Sequence, residues 1–359
     1  MQQLSYLFTQ AWQNLKSKPA FTANVVVTLS LTVGALICAL TLMNLMLFKP
    51  LPYPQQNTLF IVENTKFNGQ GAEVSRGFSY NGIEHFYKHQ EAFEKAALVY
   101  HISDVFSSLE HQPTVNSAYV TPEWFELTGA NMAMGRAFSE SENINSNVPV
   151  AILSYQTWQD EFNGAADILE QSLSFSGKTY RIIGVLAQDN IELPLAGVGF
   201  KTQLYIPWDF NSISAKQRKR WGNVDGGLLF IAKLNAISTS LSVEQLNQQL
   251  TTLVNENWQR NVTGIDLFKG WSINIEVEKL KDYVIADSER SIYLLVIGAF
   301  GLVIIACANI ANLFISRTVE RQQQLAICAA IGASKAQLFR TILSEIALLM
   351  VLAISVGQF

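Results

Sequence analysis

Charge is missing from three long stretches of this chain. Residues 21–48 and 291–316 contain no Asp, Glu, Lys or Arg, and residues 341–359 contain only Glu345. An apolar run of about 20 residues is long enough to cross the hydrocarbon core of a bilayer, so the pattern predicts three transmembrane helices. The first run is too long for a signal-peptide core and has no clear small-x-small cleavage pattern, which favours an anchored helix over a cleaved leader. Cysteine is also scarce. Cys38 and Cys307 lie in apolar runs, and Cys328 lies between the second and third. The polar segment 49–288 has no cysteine, which excludes a disulfide framework there and leaves its stability to an ordinary packed core.

Chemistry-bearing motifs are missing too. Gly177-Lys178-Thr179 looks like the end of a phosphate-binding loop, but Ser172 stands where the pattern needs its first glycine. A strand-like run follows where a helix N-terminus should cradle phosphate. No other Walker-type loop is present, so any ATP hydrolysis must reside on another subunit. All four histidines fall between His85 and His111. His85 and His89 have the spacing of one helix face, but no third ligand accompanies them at metal-site spacing. There is no Gly-x-Ser-x-Gly elbow, no His-Glu-x-x-His and no paired-carboxylate motif. No enzyme activity, catalytic residue, cofactor or metal is expected, and no nucleic-acid partner. The basic run 216–220 fits a solvated loop, with lipid headgroups or an acidic partner as the alternative.

Lys and Arg in the short flanks give the orientation. Lys16 and Lys18 precede the first run, and Arg317, Arg321, Lys335 and Arg340 lie between the second and third. The N-terminus and segment 317–336 are therefore placed in the cytoplasm and the large domain outside, with 19 basic and 27 acidic residues between 48 and 290. The expected organisation is a cytoplasmic amphipathic helix (1–18), transmembrane helix 1 (19–48), an outer domain (49–288), transmembrane helix 2 (289–316), a cytoplasmic segment (317–336) and transmembrane helix 3 (337–359).

Within the outer domain, apolar alternation predicts strands at 59–63, 97–106, 114–120, 148–153, 204–207, 228–234 and 271–280, and a hairpin of 173–175 with 180–185 around Ser176-Gly177-Lys178. Helices are expected at 79–96, after Thr121-Pro122-Glu123, after a Ser154 cap, and at 242–258 with Leu246, Leu250, Leu253 and Val254 on one face. This is a large α+β domain of short mixed elements. In segment 317–336, Leu325, Cys328, Ala329 and Gly332 share a helical face. Gly332 suits a left-handed stop and Ser334 to Gln337 has capping-box spacing. A linker and a docking surface for a cytoplasmic partner both fit that helix.

Two sets of residues then carry a resemblance. Residues 304–314, Arg317, Arg321, Leu325-Ala326-Ile327, residues 330–334 and Leu343-Ser344-Glu345 resemble the FtsX-type permease domain of MacB-like ABC transporters. Residues 120–129, Gly135-Arg136-Ala137-Phe138, residues 148–154, Trp158 and residues 180–185 resemble the MacB-like periplasmic core domain. The resemblance implies a multi-pass protein of the bacterial inner membrane. Its large periplasmic α+β domain would have a Porter-like part, discontinuous in sequence, with a Sabre-like insertion, between the first and second of four helices. It implies a cytoplasmic ABC ATPase subunit, a second permease copy or a downstream permease repeat, membrane lipid and a periplasmic adaptor as partners. It also implies mechanotransmission: ATPase dimerisation is passed through the helices to the periplasm.

On that resemblance the ATPase-coupling residues are Arg317, Arg321, Gln324, Leu325, Ala326, Cys328, Gly332, Ala333 and Ser334. The family usually has Glu at the position of Gln324 and Arg at that of Cys328, the i,i+4 spacing of a helix ion pair. An exposed pair of this kind contributes only about 0.3–0.5 kcal/mol, so its loss bears on ATPase recognition rather than folding. The FtsX-type domain (289–359) reads as truncated, with three spans of an expected four or more. The rival reading is a membrane-anchored periplasmic sensor or receptor without an ATPase.

Overall fold

The computed structural model describes residues 12–13, 15–17, 19–48, 58–105, 114–197, 199–222, 224–320, 343–344, 346–353 and 355. They form two compact units. One comprises residues 50–284 and the other residues 1–49 with 285–359.

The first unit is built on one mixed sheet. Its strands are β1 (Leu59–Phe67), β2 (Glu73–Arg76), β3 (Phe93–Val105), β4 (Thr114–Val120), β5 (Met132–Gly135), β6 (Val150–Leu153), β7 (Ser172–Phe175), β8 (Lys178–Leu186), β9 (Leu204–Pro207), β10 (Leu228–Leu234) and β11 (Ser272–Lys279). The order is β11-β1-β10-β3-β4-β9-β6-β8-β5, with β2 on β1 and β7 on β8. Pairing is antiparallel except β4 with β9 and β6 with β8. The expected strands at 59–63, 114–120, 148–153, 204–207, 228–234 and 271–280 all appear, within a few residues of their bounds. β2 and β5 are four-residue strands too short to show a periodicity.

Both faces of the central strands are covered, which is why Ala96 to Val99 and Leu228 to Ala232 read as unbroken apolar runs. Val62, Leu98 and Phe230 point to one face. There they meet Tyr80, Ile83 and Phe86 of α2 (Tyr80–His89) and Leu246, Leu250, Val254 and Trp258 of α6 (Val243–Val262). Ile61, Val99 and Ile231 point to the other, against Trp124, Phe125 and Leu127 of α3 (Glu123–Thr128). A third core joins β4, β6, β7, β8 and β9 and packs Trp158 and Phe162 of α4 (Tyr155–Phe162). Strands β5 to β9 lie between β4 and β10 in sequence, whereas β11-β1-β10-β3 gathers chain from both sides of that insertion.

The helix expected over 79–96 stops at His89, and residues 93–96 are strand instead. Gln90 turns extended (ψ 142°) and its side chain accepts the Phe93 N–H at 2.9 Å. Phe93 then pairs with Leu234, and Glu94 reaches Lys233 at 3.1 Å. Sheet pairing outweighs the helix-forming composition of Glu94 to Ala97. The Ser176-Gly177 hairpin does form, with both residues at positive φ (50° and 75°), as a two-residue turn that matches strand twist requires. Gly177-Lys178-Thr179 is thus a turn and a strand start.

One feature of α6 is not visible in the sequence alone. Asn247, Thr251, Asn255 and Gln259 recur every four residues beside the apolar face. The Asn247, Thr251 and Asn255 side chains accept the Val277, Ile275 and Ile273 N–H groups, and Gln259 donates to the Trp271 carbonyl. These are the groups that edge strand β11 would otherwise leave open to another strand.

In the second unit, α1 (Pro19–Met43) continues as a π-helical turn, Asn44–Phe48. Residues from 285 onward in α7 (Leu280–Glu320) belong to this unit, and residues 343–344, 346–353 and 355 are helical. Leu15, Val25 and Leu349 pack together with Leu29, Ile310 and Leu313.

Candidate functional site

A membrane-spanning helix must satisfy every backbone and hydroxyl group internally. Two helices among the described residues are long and apolar enough to span: Pro19–Met43, with mean hydropathy 2.4, and Arg290–Leu313, with 2.6. This is two where the sequence predicts three. About half of the third expected span, 337–359, lies outside the described residues, and its described positions are helical. Thr28 and Thr32 donate their hydroxyls back to carbonyls one turn earlier, at 2.8 and 2.9 Å. Ser30, 7% exposed, donates across to the Ala353 carbonyl at 3.0 Å. Leu31, Leu294, Ile297 and Ile304 are exposed on these helices, a surface suited to lipid rather than water.

Of the expected coupling residues, the structure places only Arg317, as backbone near the end of α7. Arg321, Gln324, Leu325, Ala326, Cys328, Gly332, Ala333 and Ser334 lie outside the described residues, as do the expected cap at Ser334 to Gln337 and most of the 1–18 helix.

The outer unit places its polar side chains in structural pairs. Arg136 grips Glu142 through two bonds of 3.0 and 2.8 Å, and the Ser139 N–H and hydroxyl each donate to Glu142 at 2.8 Å. The Arg136 guanidinium holds the Glu142 carboxyl at about 2, well below the usual carboxylate range. Tyr87 donates to Glu123 at 2.6 Å, tying α2 to α3. Within the basic run, Arg218 is turned inward. It stacks on Tyr80 at 4.4 Å and donates to the carbonyls of Asp209, Asn211 and Ile213, while Lys216, Lys219 and Arg220 stay exposed. The expected solvated loop is in part a short helix, α5 (Ala215–Arg218), and the run is exposed at Lys216, Gln217, Lys219 and Arg220 but not at Arg218. His85 and His89 stack ring on ring at 4.0 Å, with His89 Nδ1 hydrogen-bonded to the His85 carbonyl. Among the described residues no group of three or more His, Cys, Asp or Glu side chains could hold a metal.

Two residues missed in the sequence stand out. His101 sits edge-on to Trp124 and Phe200, and burial pushes its imidazole down to about 4. Lys66 is 1% exposed on β1. Its ammonium lies 4.4 Å over the Trp258 ring and donates to the Trp221 carbonyl at 3.2 Å, and burial pushes it down to about 8. A lysine inside a strand gives no sign of burial; the only signal is its spacing, two residues after Asn64 on the inward face.

The comparisons with known proteins decide what this arrangement belongs to. The MacB-like periplasmic core domain matches residues 22–265, more than half of the chain, and the FtsX-like permease C-terminal domain matches residues 296–358. The chain belongs to the MacB/FtsX-like permease family. No curated protein sequence matches it. Similar solved structures include a permease-protein domain from Porphyromonas gingivalis (14% identity, 64% of this chain and 92% of that one, TM-score 0.45). The periplasmic region of MacB from Actinobacillus actinomycetemcomitans is another (14%, 63% and 92%, 0.41). A third is the extracellular domain of the noncanonic ABC-type transporter YknZ from Gram-positive bacteria (13%, 59% and 98%, 0.39). The family is that of ABC transporter permeases of the inner membrane with a periplasmic domain. They are not themselves enzymes, and ATPase activity lies on a separate subunit.

Proposed function

We propose that this chain is the permease subunit, or the first half of a duplicated permease, of a MacB-like ABC system. Its work is to transmit ATPase conformational change to the periplasm for export or mechanotransmission. The observation that carries the reading is the occurrence, in order on one chain, of the periplasmic core domain and the FtsX-like domain, each with an apolar span. The interruption of β11-β1-β10-β3 by the β5 to β9 insertion supports the division into Porter-like and Sabre-like parts.

The N-terminus and segment 317–336 face the cytoplasm, and a third span follows. Segment 317–336 meets a cytoplasmic ATPase through Arg317, Arg321, Leu325, Ala326, Gly332, Ala333 and Ser334. With Gln324 and Cys328 in place of a charged pair, that partnership differs from the usual one or is weaker. A second copy or a downstream repeat completes the permease, and a periplasmic adaptor or substrate engages the outer unit. The test is co-purification of the full chain from its native membrane. ATPase recovery should rise in the Gln324→Glu, Cys328→Arg double variant; unchanged recovery would remove the role assigned to that pair.

A further inference from the structure

Three asparagines of this chain precede a glycine: Asn68, Asn81 and Asn163. The amide carbon of an Asn side chain is open to attack by the backbone nitrogen of the next residue, and a glycine leaves that nitrogen unshielded by a Cβ. The fold sets the three pairs in different surroundings. Asn81-Gly82 lies in the first turn of α2, where closing a ring onto Gly82 would unwind the helix. At the end of α4, the Gly164 N–H donates to the Trp158 carbonyl at 3.1 Å, which occupies the nitrogen after Asn163. Asn68-Gly69 lies in the turn between β1 and β2, with Asn68 half-buried and Gly69 and Gln70 exposed.

That turn presents the Asn68 side-chain amide for attack. Asn68 Oδ1 accepts two backbone N–H groups, from Gln70 and Ala72, each at 3.0 Å. To reach the Gln70 N–H, the side chain curls forward over its own peptide bond and carries Cγ toward the Gly69 nitrogen. The Asn68 backbone is held as well: its N–H donates to the Ala72 carbonyl and its carbonyl accepts the Gly71 N–H, both at 2.9 Å. The Gly69 N–H has no hydrogen-bond partner among the described residues. Attack at Cγ moves charge onto Oδ1, where the two N–H donors already point. Fixed donors on the oxygen of the carbonyl under attack are the arrangement of an oxyanion hole.

We propose that Asn68 is a self-modification site of the outer unit, where the Gly69 nitrogen displaces ammonia from the side-chain amide. A bond forms between Gly69 N and Asn68 Cγ, and the Cγ–Nδ2 bond breaks. The Gly69 amide proton passes through solvent to the departing nitrogen, which leaves as ammonia. Water then opens the cyclic imide at one or other carbonyl, giving aspartate or isoaspartate, and nothing is oxidised or reduced. The aspartate product keeps an acceptor for the Gln70 and Ala72 N–H groups and adds a negative charge. The isoaspartate product adds a methylene to the main chain in a turn with little slack, since a Cβ at Gly69 would lie 3.0 Å from the Lys269 carbonyl.

The test incubates the full chain in nanodiscs in mildly alkaline buffer. Loss of the side-chain amide at Asn68, Asn81 and Asn163 is followed by peptide mass spectrometry, and isoaspartate is read by enzymatic methylation of the same peptides. The same chain unfolded in guanidinium gives the rate of each pair without the fold. Asn68 should convert at least as fast in the folded protein as in the unfolded one, to isoaspartate as well as aspartate. In the folded protein Asn81 and Asn163 should convert more slowly than Asn68, by about tenfold, the factor that one hydrogen bond supplies. Slower conversion of Asn68 in the folded protein than in the unfolded one, conversion at Asn81 or Asn163 as fast as at Asn68, or aspartate without isoaspartate at position 68 would overturn the proposal.

Discussion

Lys66 is the clearest case at the residue scale of a cost retained in the fold. It has a carbonyl and an indole face for partners, and burial lowers its pKa to about 8 against the ordinary value of 10.5. The unfolded chain then binds more protons than the folded one between those two pH values, so stability rises across that window. Thermal unfolding of the purified protein at pH 8 and above should show this rise, and Lys66→Met should flatten it. Glu142 has the same sign of dependence, in a more acidic window. With its carboxyl at about 2 against 4.5, it contributes stability that is full above 4.5 and lost as pH falls through about 2. Glu142→Gln should remove that acid dependence in the same measurement. Arg136→Ala should cost about 1.5–3 kcal/mol, the range for hydrogen bonds to a charged group, read as a lower denaturation midpoint.

At the element scale, what was legible followed periodicity and turn chemistry. The Ser154 cap accepts the Thr157 N–H at 3.2 Å, as its position before Tyr155 suggests, and Ser242 does the same for Gln245. The strand at 93–96 was not legible, because Glu94, Lys95, Ala96 and Ala97 favour helix locally and only pairing with β10 decides otherwise. The polar stripe of α6 was hidden for another reason: an amide on a helix surface looks solvated until an edge strand lies beside it. The ladder predicts an outcome. Asn255→Ala removes the acceptor of Ile273 N–H and the donor to its carbonyl. Hydrogen exchange at Ile273 and Ile275 in the intact protein should then accelerate, while exchange in β4 stays unchanged.

On the scale of the whole molecule, the sequence carried two of the three expected spans and both family signatures, because lack of charge and short specific motifs are properties of the chain itself. The inward turn of Arg218 and the Lys66 ammonium over Trp258 needed the tertiary structure, since each joins residues more than 100 positions apart. In the proposed function, segment 317–336 couples a cytoplasmic ATPase to this permease. Site-directed cross-linking in native membranes tests it most directly, with a photoreactive residue placed at Leu325 or Ala326. The predicted result is a covalent adduct with an ABC ATPase subunit, absent when the same probe is placed at Ile237 of the outer unit. Labelling of the Leu325 or Ala326 probe only by reagents confined to the periplasmic side, with no ATPase adduct, would contradict the claim.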